Sequence, residues 1–266
     1  MPELPEIAIL ARQMNEALPG AVVAGVEVKQ PKCLNRPAAE FSGLITGARL
    51  GGTRRHGKWI RTESDRGRLL FNLGMGGGIY LMPDARPPEK WRVRVNLSDG
   101  QHLLVDFFWF GCVHFTAPGE AHPPTDKLGP DALELSRGEF RELVAGRRSR
   151  VKSFLLDQSK IAGIGNAYVH DILFLAGLHP LRTLSTLDDD GIGRLHRAIH
   201  AGLEPWLEWG GAFGEPDLYG HGKGTWREHM RVGYREGETC PVCGATVVKL
   251  KTGSTSSFIC PKCQPS

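Results

Sequence analysis

No apolar stretch in this chain of 266 residues approaches the roughly 18 residues that a membrane-spanning helix needs. The N-terminus lacks the basic start and apolar core of a secretory leader, because Met1-Pro2-Glu3-Leu4-Pro5-Glu6 is acidic and proline-bearing. Neither sign of charge dominates. Lys and Arg number 33 against 29 Asp and Glu, a formal charge of +4, which permits a polyanionic partner without demanding one. No internal repeat or low-complexity tract is present. These absences set the expectation of a cytoplasmic protein with reduced thiols. Six cysteines then suggest a metal site or isolated thiols rather than a disulfide framework.

What is present reads as an ordinary globular composition, 41% hydrophobic and 23% charged. The length is comfortable for two domains. Ile7, Leu10, Ala11, Met14 and Leu18 share one face at helical spacing, so a first helix is expected over residues 5–18, stopped by Pro19-Gly20. The period then changes to that of short strands, over residues 21–29, 57–61, 68–72, 79–82, 91–97 and 102–108. One helix followed by so many short strands points to a β-sandwich or barrel. Residues 117–130, with Pro123-Pro124 inside, form the clearest linker. Helical pattern follows: a capping box of Ser136 and Glu139, a helix over 166–175 closed by Gly177, and another over 187–209. Residues 210–224, rich in glycine and polar side chains, read as a mobile loop.

Cys240-Pro-Val-Cys243 and Cys260-Pro-Lys-Cys263 are two C-x2-C knuckles separated by 16 residues. Four thiolates, two from each tight turn, suit one tetrahedral structural Zn2+. Cys33 and Cys112 stand apart from them and read as buried small hydrophobes. At the other end, Met before Pro is normally removed, leaving Pro2 a secondary amine. An α-amine has a pKa near ~8, so part of it is unprotonated at neutral pH and able to attack an aldehyde-like carbon. Glu3 beside it could move protons.

Met-Pro-Glu-Leu-Pro-Glu resembles the start of the bacterial formamidopyrimidine-DNA glycosylases, the family that includes endonuclease VIII. Three further segments match in order. Arg54-Arg55-His56-Gly57-Lys58-Trp59 is similar to the family's strand–turn segment with its catalytic lysine. Leu128-Gly129-Pro130-Asp131 is similar to the start of its helical domain. Gly163-Ile164-Gly165-Asn166-Ala167-Tyr168, continuing through Phe174-Leu175-Ala176-Gly177-Leu178-His179-Pro180, resembles its helix-two-turn-helix signature. With the terminal ribbon, the matches span residues 2 to 264.

The resemblance implies an α+β fold: an N-terminal helix plus β-sandwich over residues 1–116, a linker at 117–134, a helix-two-turn-helix domain at 135–236, and a zinc ribbon at 237–266. It implies a monomeric enzyme acting on double-stranded DNA that contains damaged bases or abasic sites, with the duplex in the cleft between domains. Pro2 would attack C1′ of a nucleotide flipped from the stack, with Glu3 as acid/base and Lys58 on a phosphate or carrying a proton. Strand cleavage by β- and δ-elimination would follow. Gly163, Gly165 and Asn166 would meet phosphate just ahead of a helix, with Lys152 and Lys160 flanking them. Met75, on the glycine-rich loop from Asn72 to Gly78, would fill the gap left by the flipped nucleotide, beside Phe110.

Two departures from the family stand out. Its second insertion loop usually reads Asp-Pro-Arg-Arg-Phe-Gly, whereas here it reads Asp106-Phe107-Phe108-Trp109-Phe110-Gly111, without the arginine that reads the base left behind. Aromatic faces stack on any base, so weak opposite-base discrimination is expected. The ribbon arginine five residues before the third cysteine is Thr255 here, and Lys249, Lys251 or Lys262 would have to compensate. Tyr219, His221 and Lys223 occupy the segment that covers the extruded base. Oxidised or ring-opened purines are favoured over oxidised pyrimidines or alkylated and bulky adducts. The competing readings are a non-catalytic damaged-DNA-binding protein, against which Pro2, Glu3 and Lys58 together argue, and a zinc-ribbon interaction factor, which leaves the N-terminal match unexplained.

Overall fold

The computed structural model describes residues 2–83, 90–212, 214–222 and 226–266, with 226 and 227 by backbone alone. The chain divides into two compact units, one of residues 1–127 with 214–224 and the other of 128–213 with 225–266. Among the described residues no helix is long and apolar enough to cross a membrane.

The first unit opens with α1 (Leu4–Ala17), whose Leu4, Ile7, Leu10, Ala11 and Met14 are buried, the face expected from its spacing. Pro5 in the first turn costs no hydrogen bond, because N–H groups there have no partner inside the helix. Eight strands follow: β1 (Val23–Val28), β2 (Leu50–His56), β3 (Trp59–Ser64), β4 (Gly67–Asn72), β5 (Gly78–Pro83), β6 (Val93–Leu97), β7 (Gln101–Asp106) and β8 (Cys112–Thr116). They form two antiparallel four-stranded sheets, ordered β1-β6-β7-β5 and β2-β3-β4-β8. Ile60, Leu69, Phe71, Val93, Val95, Leu103, Val105, Val113 and Phe115 make one core with α1. This is the sandwich the strand count implied.

Several elements escaped the sequence reading, among them a second helix, strand β2 and strand β8. Helix α2 (Ala38–Ile45) buries only Phe41 and Ile45, too few for a periodic signal. Strand β2 carries Gly51-Gly52 and the polar Arg54-Arg55-His56, and its pairing with β3 slips between Leu50 and Thr53, which blurs alternation. Gly57-Lys58, expected to begin a strand, is instead the turn between β2 and β3. Nor is the 214–222 segment a free loop. Leu218 is fully buried in the sandwich core, and its carbonyl accepts from Leu81 N at 2.7 Å. Gln13 fixes the segment from α1, donating to Asp217 Oδ2 at 3.1 Å and accepting from Leu218 N at 3.0 Å. A single leucine among polar residues overrides the loop composition. Lys223 lies outside the described residues.

The linker expected at 117–130 begins pinned to the sandwich. His114 Nδ1 on β8 lies 2.8 Å from His122 Nε2, and His122 Nδ1 lies 2.8 Å from Thr125 Oγ1 in α3 (Pro123–Asp126). Trp59 packs edge-on against the His122 ring. Burial, then its neighbour His122, pushes the His114 pKa down to about 4, and burial lowers that of His122. Both folded pKa values lie below the unfolded one, so the unfolded chain binds more protons as pH falls from 6.5 toward 4 and stability is lost in that window. After allowance for solvent screening, urea unfolding should show about 1 kcal/mol less stability at pH 5 than at pH 7 from this pair. The same drop in His114→Phe protein would assign the loss elsewhere.

The second unit holds α4 (Arg137–Val144), α5 (Val151–Leu156), α6 (Val169–Ala176) and α7 (Asp189–Trp209). Ser136 and Glu139 make the expected capping box. Helix α6 starts three residues later than its pattern suggested, with Asn166 to Tyr168 in a turn, and ends on Gly177 in the left-handed conformation. Gly202 lets α6 and α7 close up, since a Cβ there would lie 2.6 Å from Ile172 Cγ1. The ribbon hairpin, β9 (Val248–Thr252) and β10 (Thr255–Ile259), is secured to this helical body. Asp171 accepts from the N–H groups of Arg231, Val232 and Gly233 at 2.7, 2.9 and 2.9 Å. Gln264 donates to Leu178 O at 2.9 Å.

Candidate functional site

Short peptide starts usually fray, but this one is held. Pro2 is buried, Glu3 is 3% exposed, and Glu3 N donates to Glu6 Oε2 at 2.8 Å, closing the first turn of α1 on itself. Carboxylates at a helix N-terminus are favoured by the orphan N–H groups there. A third carboxylate, Glu215 on the returning segment, escaped the sequence reading. Burial, then the charge on Glu6 and that on Glu3, pushes its pKa up to about 7. A carboxyl group that titrates near neutrality beside Glu3 can both give and take a proton. Nothing in Gly214-Glu215-Pro216 signals this, because the shift comes from residues over 200 positions away.

Lys58 is half-buried in the β2–β3 turn, where Gly57 has a φ of 55°. Its carbonyl accepts from Asn72 Nδ2 at 3.4 Å, and Asn72 Oδ1 accepts from Gly74 N at 3.1 Å. The turn bearing Lys58 is thus tied to the loop bearing Met75. That loop is tied in turn to the aromatic one: Met75 N donates to Trp109 O at 2.8 Å, and Phe108 N donates to Met75 O at 3.0 Å. Gly74 is required for this approach, since a Cβ there would lie 2.1 Å from Trp109 O, at a φ of 50°. Arg92 braces the aromatic loop from behind, donating to Phe107 O at 3.2 Å and pairing with Asp106 at 3.4 Å. Phe107 is core, whereas Phe108, Trp109 and Phe110 are 66%, 67% and 85% exposed and Met75 is 45% exposed. Four apolar side chains left in solvent on one braced double loop mark a contact surface rather than a core.

The second unit groups the remaining candidates differently from the sequence reading. Gly163 N is spent on Gln158 Oε1 at 3.0 Å, so that amide is not on offer to a phosphate. Gly165 is buried, and its carbonyl accepts from Val169 N at 3.2 Å. Asn166 is half-buried, with an Oδ1 that meets no donor among the described residues. Lys160 is half-buried beside Gly129. Lys152 is 3% exposed and donates to Thr252 Oγ1, Thr255 Oγ1, Ser256 O and Ser257 Oγ at 3.1, 3.0, 2.6 and 2.9 Å. Its three N–H groups are consumed, so the flanking surface contact expected of it gives way to a buried anchor for the hairpin.

The four ribbon cysteines are brought together, their Sγ atoms all within 4.8 Å of one another. Cys240 and Cys263 lie 3.9 Å apart, and Cys243 and Cys260 3.4 Å. Four sulfurs about 2.3 Å from a common Zn2+ at tetrahedral angles would be separated by about 3.8 Å, so the donor set fits that ion. Cys33 and Cys112 are free thiols away from this cluster. Burial, then the neighbouring Cys33 thiol, pushes the Cys112 pKa up to about 12, so the two are neighbours in space and unreactive as nucleophiles.

The Formamidopyrimidine-DNA glycosylase N-terminal domain pattern matches residues 1–113, the H2TH domain pattern of the same enzymes matches residues 128–213, and the zinc finger found in FPG and IleRS matches 237–265. The chain belongs to the formamidopyrimidine-DNA glycosylase family. It is 32% identical to the formamidopyrimidine-DNA glycosylase of Methylococcus capsulatus over 270 residues, covering 99% of this chain and 100% of that one. With the Magnetococcus marinus enzyme the identity is 35%, over 99% of each chain. Among solved structures it superposes on Lactococcus lactis Fpg bound to DNA containing an abasic site, with a TM-score of 0.91 and 26% identity over the whole of both chains. The same enzyme bound to N7-benzyl-Fapy-dG DNA gives a TM-score of 0.90 at 28% identity, again over both whole chains.

Membership in the formamidopyrimidine-DNA glycosylase family makes this a DNA-repair glycosylase with abasic-site lyase activity, carrying one structural zinc. The departures from the family resemblance lie at defined places: Phe108 and Trp109 stand exposed on the aromatic loop, and Thr255 stands at the hairpin tip, accepting from Lys152.

Proposed function

We propose that this glycosylase removes oxidised or ring-opened purines by covalent catalysis from Pro2 and tolerates any base on the opposite strand. The Pro2 nitrogen forms a bond to C1′ as the glycosidic bond breaks, and the departing base takes the bonding pair and a proton. Loss of the Pro2 ammonium proton and protonation of O4′ then break the C1′–O4′ bond, opening the sugar to an iminium that acidifies the C2′ proton. Its removal expels the 3′ phosphate, and a second elimination expels the 5′ phosphate. Glu3 moves protons at the sugar, and Lys58 holds a phosphate or relays a proton. The observation that supports this most is the held N-terminus: a buried Pro2 followed by Glu3, whose N–H is bonded to Glu6. A nucleophile whose position is fixed by the fold needs little further ordering before attack.

Met75 serves as the wedge in the space vacated by the flipped nucleotide, and Phe110 stacks beside it. Phe108 and Trp109 replace edge-reading donors with π-faces, which bind bases without distinguishing them. Single-turnover assays on duplexes carrying ring-opened guanine, 8-oxoguanine or an oxidised pyrimidine opposite each of the four bases should show purine lesions cleaved fastest. For a given lesion, rates should vary less than about fivefold with the opposite base, against the 1–3 kcal/mol of a bidentate base contact. A strong preference for opposite cytosine would refute the tolerance, and faster release of pyrimidines would move the substrate class.

A further inference from the structure

The tip of the ribbon hairpin and α5 enclose an open pocket of about 270 Å³, lined among others by Arg150, Lys152, Ser153, Thr252, Ser254 and Thr255. No acidic side chain lines it. The Lys152 ammonium is saturated by the four oxygens already described. Of the hydroxyls holding it, Thr252 and Ser257 lie 2.7 Å apart, and Thr252 Oγ1 donates to Thr255 O at 3.2 Å. Their protons are used within the hairpin. Thr255 differs: its Oγ1 accepts from Lys152, and its own proton finds no acceptor among the described residues. A hydroxyl that accepts from an ammonium is polarised into a stronger donor. At the edge of the pocket Arg150 is exposed, and its guanidinium makes no hydrogen bond or ion pair among the described residues. With no carboxylate lining the pocket, the Arg150 charge is left for a ligand of opposite sign.

We propose that this pocket seats a backbone phosphate of the DNA, with Arg150 and the Thr255 hydroxyl as donors and Lys152 as the buried counter-charge beneath. The cation that Thr255 lacks is then supplied from the start of α5, not from Lys249, Lys251 or Lys262, none of which lines the pocket. Burial pulls the Lys152 pKa down to about 8, and an anion above it would restore the charged form. The inference rests on the DNA partner of the proposed function but not on Pro2 chemistry.

Fluorescence-anisotropy titrations over a range of salt, on an undamaged duplex and on one with an abasic-site analogue, test it. Arg150→Ala should weaken binding to both by about tenfold and lower the slope of log K against log salt by about 1. Arg150→Lys should recover part of the loss. Arg150→Ala combined with Thr255→Arg should regain most of it, since the charge returns to the same pocket from the other wall. Arg148→Ala, which removes an exposed charge two residues before Arg150 that does not line the pocket, should leave the slope nearly unaltered. An unchanged slope in Arg150→Ala, or equal losses in Arg148→Ala, would overturn the proposal. Wild-type protein that binds both duplexes but forms no adduct with abasic DNA would defeat the Pro2 mechanism and leave the phosphate seat standing.

Discussion

Protein with a free Pro2 amine should become covalently fixed to abasic-site duplex in borohydride, whereas protein that keeps Met1 should give no adduct and lose lyase turnover by at least about 10³-fold. The size follows from the chemistry. An amide nitrogen has no basic lone pair, so blocking the amine removes the nucleophile itself rather than weakening a contact. The structure supplies the other half of the argument, because Pro2 is buried, Glu3 is anchored to Glu6, and Glu215 with its pKa near 7 belongs to the same unit. Intact mass of the free protein establishes which N-terminus is present. Acetylated Pro2→Gly protein provides a second blocked form whose fold is spared. Equal trapping by blocked and free protein would transfer the nucleophile to a lysine, with Lys58 first in line. No trapping by protein with a confirmed free amine would leave a monofunctional glycosylase that uses water.

Zinc removal should have the next largest effect. A strong chelator, or Cys260→Ser, should release one zinc per chain and weaken duplex binding by about a hundredfold or more. Structural zinc contributes roughly 10–16 kcal/mol of apparent binding energy in small domains, more than a two-stranded hairpin can replace. The ribbon's own core is slight: Phe174, Val232, Val247 and Phe258 packed on Cys240 and Cys260. Its other attachments would fail with it, since the Lys152 anchor, the Gln264 bond to Leu178 and the Phe258 N–H to His170 at 3.4 Å all end on ribbon residues. Elemental analysis alongside anisotropy reads both quantities, and readdition of zinc should restore binding. Full affinity in zinc-free protein would reduce the ribbon to a clip on the terminus.

Both effects arise at features written locally in the chain. Met-Pro-Glu-Leu-Pro-Glu at the start and the paired C-x2-C knuckles carry their signals within six and four residues, and Ser136 with Glu139 specifies a helix start within four. The aromatic loop was likewise legible as a departure, because losing two arginines is a change of residue type. Other features were hidden because their cause is remote. Lys152 looks like any lysine on a short helix, and its burial depends on hydroxyls about a hundred positions later. Gly163 looked available to a phosphate, but its amide is taken by Gln158.

The sequence by itself determined the order of the parts, the zinc ligands and the strand-rich first half, because helical and strand periods, capping pairs and ligand spacings act over a few residues. Only the tertiary structure decided that residues 214–222 return to the sandwich through Leu218, that Glu215 joins Glu3 and Glu6, and that the hairpin tip closes over Lys152 beside an Arg150 unpaired among the described residues. Burial and the fields of distant charges set these outcomes, and neither is carried by any one stretch of chain.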